Sequence, residues 1–172
     1  MLYRQLQKRL SRLMKNYSVL FVCLGNICRS PTAHGVFRHL ISGHGLSGAV
    51  TVDSAGTSNY HPNSPPDARS QAHAAKRGYD LSDLRARQIQ AADFEKFDLV
   101  LVMDWDNLAH VKQNCPPEHQ HKLRRFTEFC LQFYSDVVPD PYFGGDAGFE
   151  EVLDLVEDAS TGLLQHVKSQ MG

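Results

Sequence analysis

Val19-Leu20-Phe21-Val22-Cys23-Leu24-Gly25-Asn26-Ile27-Cys28-Arg29-Ser30-Pro31 is the stretch that orders the rest of the chain. The apolar run from Val19 to Val22 has the length and composition of a short strand, and Pro31 suits the first turn of a helix. A loop between strand and helix can curl its backbone N–H groups around an anion and aim the helix dipole at it. Cys23 stands at the mouth of such a hole, where a thiolate is itself the stabilised anion. Arg29 returns to the same cavity with a planar fork that matches two phosphate oxygens. Ser30 can donate its hydroxyl to the sulfur, holding it ionised and later helping it leave. Gly25 is expected to supply a conformation barred to residues with a Cβ. Asn26 tolerates left-handed backbone and can brace the loop with its side chain. A thiolate, a ring of N–H groups from Leu24, Gly25, Asn26, Ile27, Cys28 and Arg29, and a guanidinium equip a phosphate-ester hydrolase that needs no metal or other cofactor. For a lone cysteine a buried structural thiol would be the better reading; the complete loop outweighs it.

Outward from this loop, strand and helix patterns alternate. A basic amphipathic helix is expected over 2–15, with Leu2, Leu6, Leu10, Leu13 and Met14 near helical spacing. The first strand follows at 18–22 and a helix from Pro31 to Leu40, ended by Gly43 and Gly45. A second strand covers Ala49–Ser54. Pro65 and Pro66 open a helix that runs to Arg77 and is closed by Gly78. A short helix at 91–96, a third strand at Asp98–Met103 and a helix at 107–113 come next. A fourth strand is expected at Lys122–Phe126 and a long amphipathic helix from Phe149 to Val167. This alternation predicts an α/β sandwich around a mostly parallel sheet. Ligands of such sheets bind beyond the carboxyl ends of the strands, where Cys23 falls.

Size and composition bound the answer. The 172 residues suffice for one domain, and 42% hydrophobic with 22% charged residues is ordinary for a globular protein. A net charge of −1 leaves no footprint for nucleic acid. Cys115 and Cys130 show no zinc spacing with Cys23 and Cys28, and His119 and His121 read as surface residues, so no metal is expected. Four cysteines in a chain of this size point to a reducing compartment rather than a disulfide scaffold. With no apolar run of membrane-spanning length and no signal-peptide pattern, the expected location is the cytoplasm.

An ester's leaving oxygen needs a proton, and the general acid must come from outside the loop. Asp140, in Val137-Val138-Pro139-Asp140-Pro141-Tyr142-Phe143-Gly144-Gly145, is the candidate. Prolines on both sides stiffen its backbone and keep it out of a helix. On these residues alone a plain surface turn remains the alternative.

Taken together, the loop and several distant segments resemble the low-molecular-weight protein tyrosine phosphatases. The resemblance runs from Val19 to the final helix. It includes Asp53-Ser54-Ala55-Gly56-Thr57, Arg87-Gln88-Ile89, Met103-Asp104 with Asn107-Leu108, and Asp140-Pro141-Tyr142-Phe143-Gly144. It implies a three-layer sandwich on a four-stranded parallel sheet of flavodoxin-like order 2-1-3-4, with residues 18–172 as a single phosphatase domain. Residues 1–17 then form a basic N-terminal extension. It further implies that Cys23 attacks phosphorus to give a cysteinyl-phosphate while Asp140 protonates the tyrosyl oxygen, then acts as base for water. Arg29 and the loop N–H groups hold the phosphate oxygens. Substrates are phosphotyrosine-containing proteins, phosphate-like oxyanions inhibit, and Tyr60, Tyr142 and Phe143 match the aromatic flank of the pocket. Cys28 matches a loop cysteine that forms a reversible disulfide with an oxidised nucleophile. An arsenate reductase on the same fold and a catalytically silent phosphotyrosine binder are the rival readings.

Three departures stand out. His34 replaces a glutamate common after Pro-Thr-Ala. Asp83-Leu84-Arg85-Ala86-Arg87 lacks a histidine that supports the phosphate loop in other members, so its network must differ. Residues 1–13 lie outside the pattern. They are read as a solvated extension, or as upstream of a true start at Met14, in preference to a helix that contacts an acidic membrane surface through residues 1–15.

Overall fold

A computed structural model describes residues 1–13 and 15–172, without the side chains of residues 7, 8 and 10–13. The chain order is α1 (Leu2–Leu13), β1 (Tyr17–Cys23), α2 (Arg29–Gly43), β2 (Val50–Gly56), α3 (Ala68–Lys76), α4 (Ala91–Lys96), β3 (Leu99–Val102), α5 (Trp105–Asn114), β4 (Leu123–Arg125) and α6 (Asp146–Met171). The strands form one parallel sheet in the order β2-β1-β3-β4. This is the expected architecture and strand order.

The sheet is buried on both faces, which is why β1 and β3 read as unbroken apolar runs rather than alternating ones. Val19, Phe21 and Cys23 point to one side, into a core with Phe37 of α2, Phe126, and Val156 and Leu163 of α6. Leu20 and Val22 point to the other, against Phe94, Phe97 and Val111. Phe21 packs edge-on against Phe126 at 5.0 Å and against Phe37 at 5.9 Å. Each such ring withdrawn from water is worth roughly 1.5–3 kcal/mol.

Several boundaries differ from expectation for local reasons. Helix α2 begins at Arg29, two residues before Pro31, because a proline is tolerated anywhere in a first turn whose N–H groups lack helical partners. It continues through Gly43, and Gly45, with φ +70°, closes it. Helix α3 opens after Pro65 and Pro66, with the Asp67 carboxylate accepting from the Arg69 N–H. Asp104 likewise caps α5 by accepting from Asn107 N, so that helix starts at Trp105. Helix α6 starts at Asp146 and reaches Met171, longer at both ends than the apolar pattern alone marks. On α1, Leu2, Tyr3 and Leu6 are exposed. The side chains of Leu10 and Leu13, also read for that helix, are not described, and Met14, with its reading as a start, lies outside the described residues. No described helix is long and apolar enough to cross a membrane.

Candidate active site

Strand β1 ends at Cys23 and α2 begins at Arg29, so residues 24–28 form a tight loop at the carboxyl edge of the sheet. Cys23 is nearly fully buried. Its Sγ lies 3.1 Å from Ser30 Oγ and accepts from the Asn26 backbone N–H at 3.3 Å. Asn26 Nδ2 donates to Ser30 Oγ at 2.7 Å. With that lone pair occupied, the Ser30 proton is free to point at the sulfur, or at Ala55 O at 3.4 Å. Asn26 Oδ1 accepts from the Arg87 N–H at 3.0 Å, and Arg87 forms ion pairs with Asp53 and Asp93. The loop therefore rests on a network that runs from buried Asn26 and Ser30 to half-buried Arg87, and Leu84, where the resemblance led one to expect a supporting histidine, packs into the core.

One expectation about this loop needs correction, that Gly25 takes a conformation barred to residues with a Cβ. The left-handed residue is Asn26, with φ +56°, and not Gly25. Gly25 serves close approach instead, since a Cβ there would sit 3.3 Å from His61 Cδ2. The stricter glycine is Gly56 on β2, where a Cβ would stand 2.8 Å from Leu24 O and 3.1 Å from Gly25 C. His34 is buried, its Nδ1 lies 3.0 Å from Ser54 Oγ, and burial pushes its pKa down to about 4. It thus replaces a carboxylate with a neutral imidazole.

Arg29 is 3% exposed. Its Nη1 donates to Asp104 Oδ2 at 2.6 Å and to Val138 O at 3.0 Å, while Nη2 lies 3.9 Å from Asp140 Oδ2. Burial opposes its charge, but Cys23 and Asp104 outweigh that and hold the proton more firmly than usual. Asp140 is 43% exposed, and its Oδ1 accepts from Tyr142 N at 3.0 Å. Burial pushes the Cys28 thiol up to about 12, against a hydrogen bond from Ser70, so it stays neutral.

These groups surround a cavity of about 200 Å³. Cys23, Leu24, Gly25, Ile27, Cys28 and Arg29 form its floor, and Tyr60, His61, Asp140, Tyr142 and Phe143 its walls. Of the residues read from sequence, Asn26 and Ser30 stand behind the floor rather than in it. Asp104, Gly56 and His61 were not singled out as site residues. Asp104 could have been found, because it follows β3, β1's parallel neighbour, at the same carboxyl edge. Among the described residues no cluster of three or more His, Cys, Asp or Glu side chains could hold a metal ion.

Comparison with known proteins matches this arrangement. Residues 18–171 match the family model described as low molecular weight phosphotyrosine protein phosphatase. A low molecular weight protein-tyrosine-phosphatase of Streptomyces coelicolor is 44% identical over 158 residues, 90% of this chain and 96% of that one. The crystal structure of a protein tyrosine phosphatase from Entamoeba histolytica, with Hepes in its active site, superposes with a TM-score of 0.87 at 38% identity, covering 90% of this chain and 99% of that one. Vibrio vulnificus Wzb in complex with benzylphosphonate superposes with a TM-score of 0.76 at 27% identity, covering 88% and 99%. The chain belongs to the low-molecular-weight phosphotyrosine protein phosphatases, hydrolases that work through a cysteine nucleophile and need no metal.

Proposed function

We propose that this chain hydrolyses phosphotyrosine in proteins with the following division of labour. Cys23 attacks phosphorus in line with the departing tyrosyl oxygen, which Asp140 protonates. The S–P bond forms as the P–O bond breaks. Water, deprotonated by Asp140, then attacks the cysteinyl-phosphate, releasing inorganic phosphate and the thiolate. Ser30 directs its hydroxyl proton to that sulfur. Arg29 and the N–H groups of residues 24–29 meet the phosphoryl oxygens, with Asp104 and Val138 O fixing the guanidinium. The observation that carries this reading is the Cys23 sulfur, held by Asn26 N–H and Ser30 Oγ at the floor of a cavity that has Asp140 in its wall.

The walls bear on specificity. Tyr60, Tyr142 and Phe143 rise around the floor, so a long aromatic ester reaches Cys23 where a phosphoserine falls short. Phosphate-like oxyanions should compete for the same N–H groups, and the benzylphosphonate complex of Vibrio vulnificus Wzb supports this. Cys28 is the redox partner. A peroxide would oxidise the Cys23 thiolate to a sulfenic acid, which condenses with the Cys28 thiol to a disulfide and releases water. Four free thiols support a reducing compartment, the cytoplasm. Residues 18–172 are the phosphatase domain and residues 1–17 an extension to it.

The test is hydrolysis of p-nitrophenyl phosphate against pH, without metal, by the wild type, Cys23→Ser and Asp140→Asn. The wild type should turn over, Cys23→Ser should be inert, and Asp140→Asn should be slowed by about 10²-fold. An active Cys23→Ser variant would overturn the mechanism.

A further inference from the structure

The acid and the nucleophile stand on loops more than a hundred residues apart in sequence, and one exposed arginine joins them. Asp67 N donates to Ile27 O, in the floor of the cavity, at 2.8 Å. The Asp67 carboxylate grips Arg69 through three donors: the backbone N–H at 2.8 Å, Nε at 3.1 Å and Nη2 at 3.0 Å. Arg69 Nη2 also donates to Tyr142 O at 3.0 Å. The guanidinium lies 5.5 Å from the Tyr142 ring centroid and 4.8 Å from that of Phe149. Tyr142 N in turn donates to Asp140 Oδ1. A continuous path therefore runs Ile27–Asp67–Arg69–Tyr142–Asp140.

We propose that Arg69 is a positioning residue, a clamp that sets where Asp140 stands relative to the phosphate loop; this rests on the reading of Asp140 as general acid. On its N-terminal side the acid loop is already fixed, since Val138 N donates to Met103 O and Val138 O accepts from Arg29. Beyond Asp140, Pro141 is buried, and Arg69 supplies the hydrogen bond to the chain that follows. A lysine could not replace it, because a single ammonium cannot present one edge to a carboxylate, another to a carbonyl and a flat face to two rings. Exposed ion pairs contribute little to stability, whereas a misplacement of about 1 Å at a reacting group can cost about 10²-fold in rate. The effect of Arg69 should therefore fall on proton transfer rather than on folding.

Leaving-group dependence isolates that effect. Phenolate is a poorer leaving group than p-nitrophenolate and leans harder on the acid, while the two aryl phosphates bind alike. The measurement is the ratio of kcat/KM for p-nitrophenyl phosphate to that for phenyl phosphate, in the wild type, Arg69→Ala, Arg69→Lys, Asp140→Asn and the Arg69→Ala/Asp140→Asn double variant. The expected result is a ratio widened about fivefold or more in Arg69→Ala, widened also in Arg69→Lys, and no further widening by Arg69→Ala once Asp140 is Asn. An unchanged ratio in Arg69→Ala, or equal widening in both backgrounds, overturns the clamp while leaving the phosphatase reading intact. A wild type inert toward both esters overturns the phosphatase reading, and the clamp with it.

Discussion

The phosphate loop and the acid loop face each other across one cavity, yet they are built in opposite ways. Cys23, Asn26, Cys28, Arg29 and Ser30 are each at most 5% exposed, and the Asn26 and Ser30 side chains have their partners inside the protein. Asp140 is 43% exposed, and Phe143 is 95% exposed. The contrast follows from what each must do. Donors that stabilise developing charge work best when fixed before the reaction, so that none must reorient at the transition state. A group that gives a proton and then takes one from water needs access to solvent. The molecule therefore spends its buried polar contacts on the anion cradle and leaves the acid at the rim.

Breaking the cradle should have the largest consequence outside the reacting groups. Gly56→Ala puts a methyl against Leu24 O and Gly25 C, both backbone atoms that cannot swing aside. We expect a stability loss of about 1–3 kcal/mol in urea titration and a fall in kcat/KM of at least about tenfold, since the displaced backbone is the one that binds phosphate. A fully active Gly56→Ala would mean that the cradle yields more easily than its packing implies.

A second way to probe the cradle is pH. His34 titrates near 4 when folded because burial disfavours its charge, against ~6.5 in an unfolded chain. Between those values the unfolded state binds a proton that the folded state does not. The contribution is fully present above pH ~6.5 and is lost as pH falls toward 4, amounting to about 2 kcal/mol between pH 7 and pH 5. Denaturant titrations of wild type and His34→Gln at the two pH values should show that much less pH dependence in the variant. Equal slopes would place His34 in solvent.

The rim should answer with the smallest change. Phe143→Ala removes a ring that is almost wholly exposed, so stability should move by less than about 0.5 kcal/mol. Hydrolysis of p-nitrophenyl phosphate, which is too short to need the outer wall, should stay within about twofold. A large loss of turnover would show that the rim is as tightly specified as the floor.

The same contrast explains what could be read from the chain alone. Cys23, Arg29 and Ser30 lie within eight residues, so their meeting was legible as a local pattern, and the alternation of apolar runs was enough for the sheet. Asp140 was legible only alongside the upstream loop, since its flanking prolines alone fit a plain surface turn. Asp104 escaped because its contact with Arg29 depends on β1 and β3 pairing side by side. Gly56 escaped for the same reason, since only the β1–β2 register puts it opposite Cys23. The left-handed backbone was legible at Asn26, whose carboxamide is satisfied at both ends, whereas the special conformation expected of Gly25 is not there, because that glycine answers to its contact with His61 instead. Arg69 carries no signature at all. It is one exposed arginine among many charged residues until α3 sets it beside the acid loop.

The proposed chemistry passes through a covalent phosphoryl group on Cys23. Rapid acid quench of the enzyme during turnover of an aryl phosphate, followed by peptide mass spectrometry, tests it directly. One phosphoryl group is expected on the peptide that contains Cys23, absent in Cys23→Ser. Steady turnover with no phosphorylated cysteine, or a phosphoryl group on another residue, would contradict it.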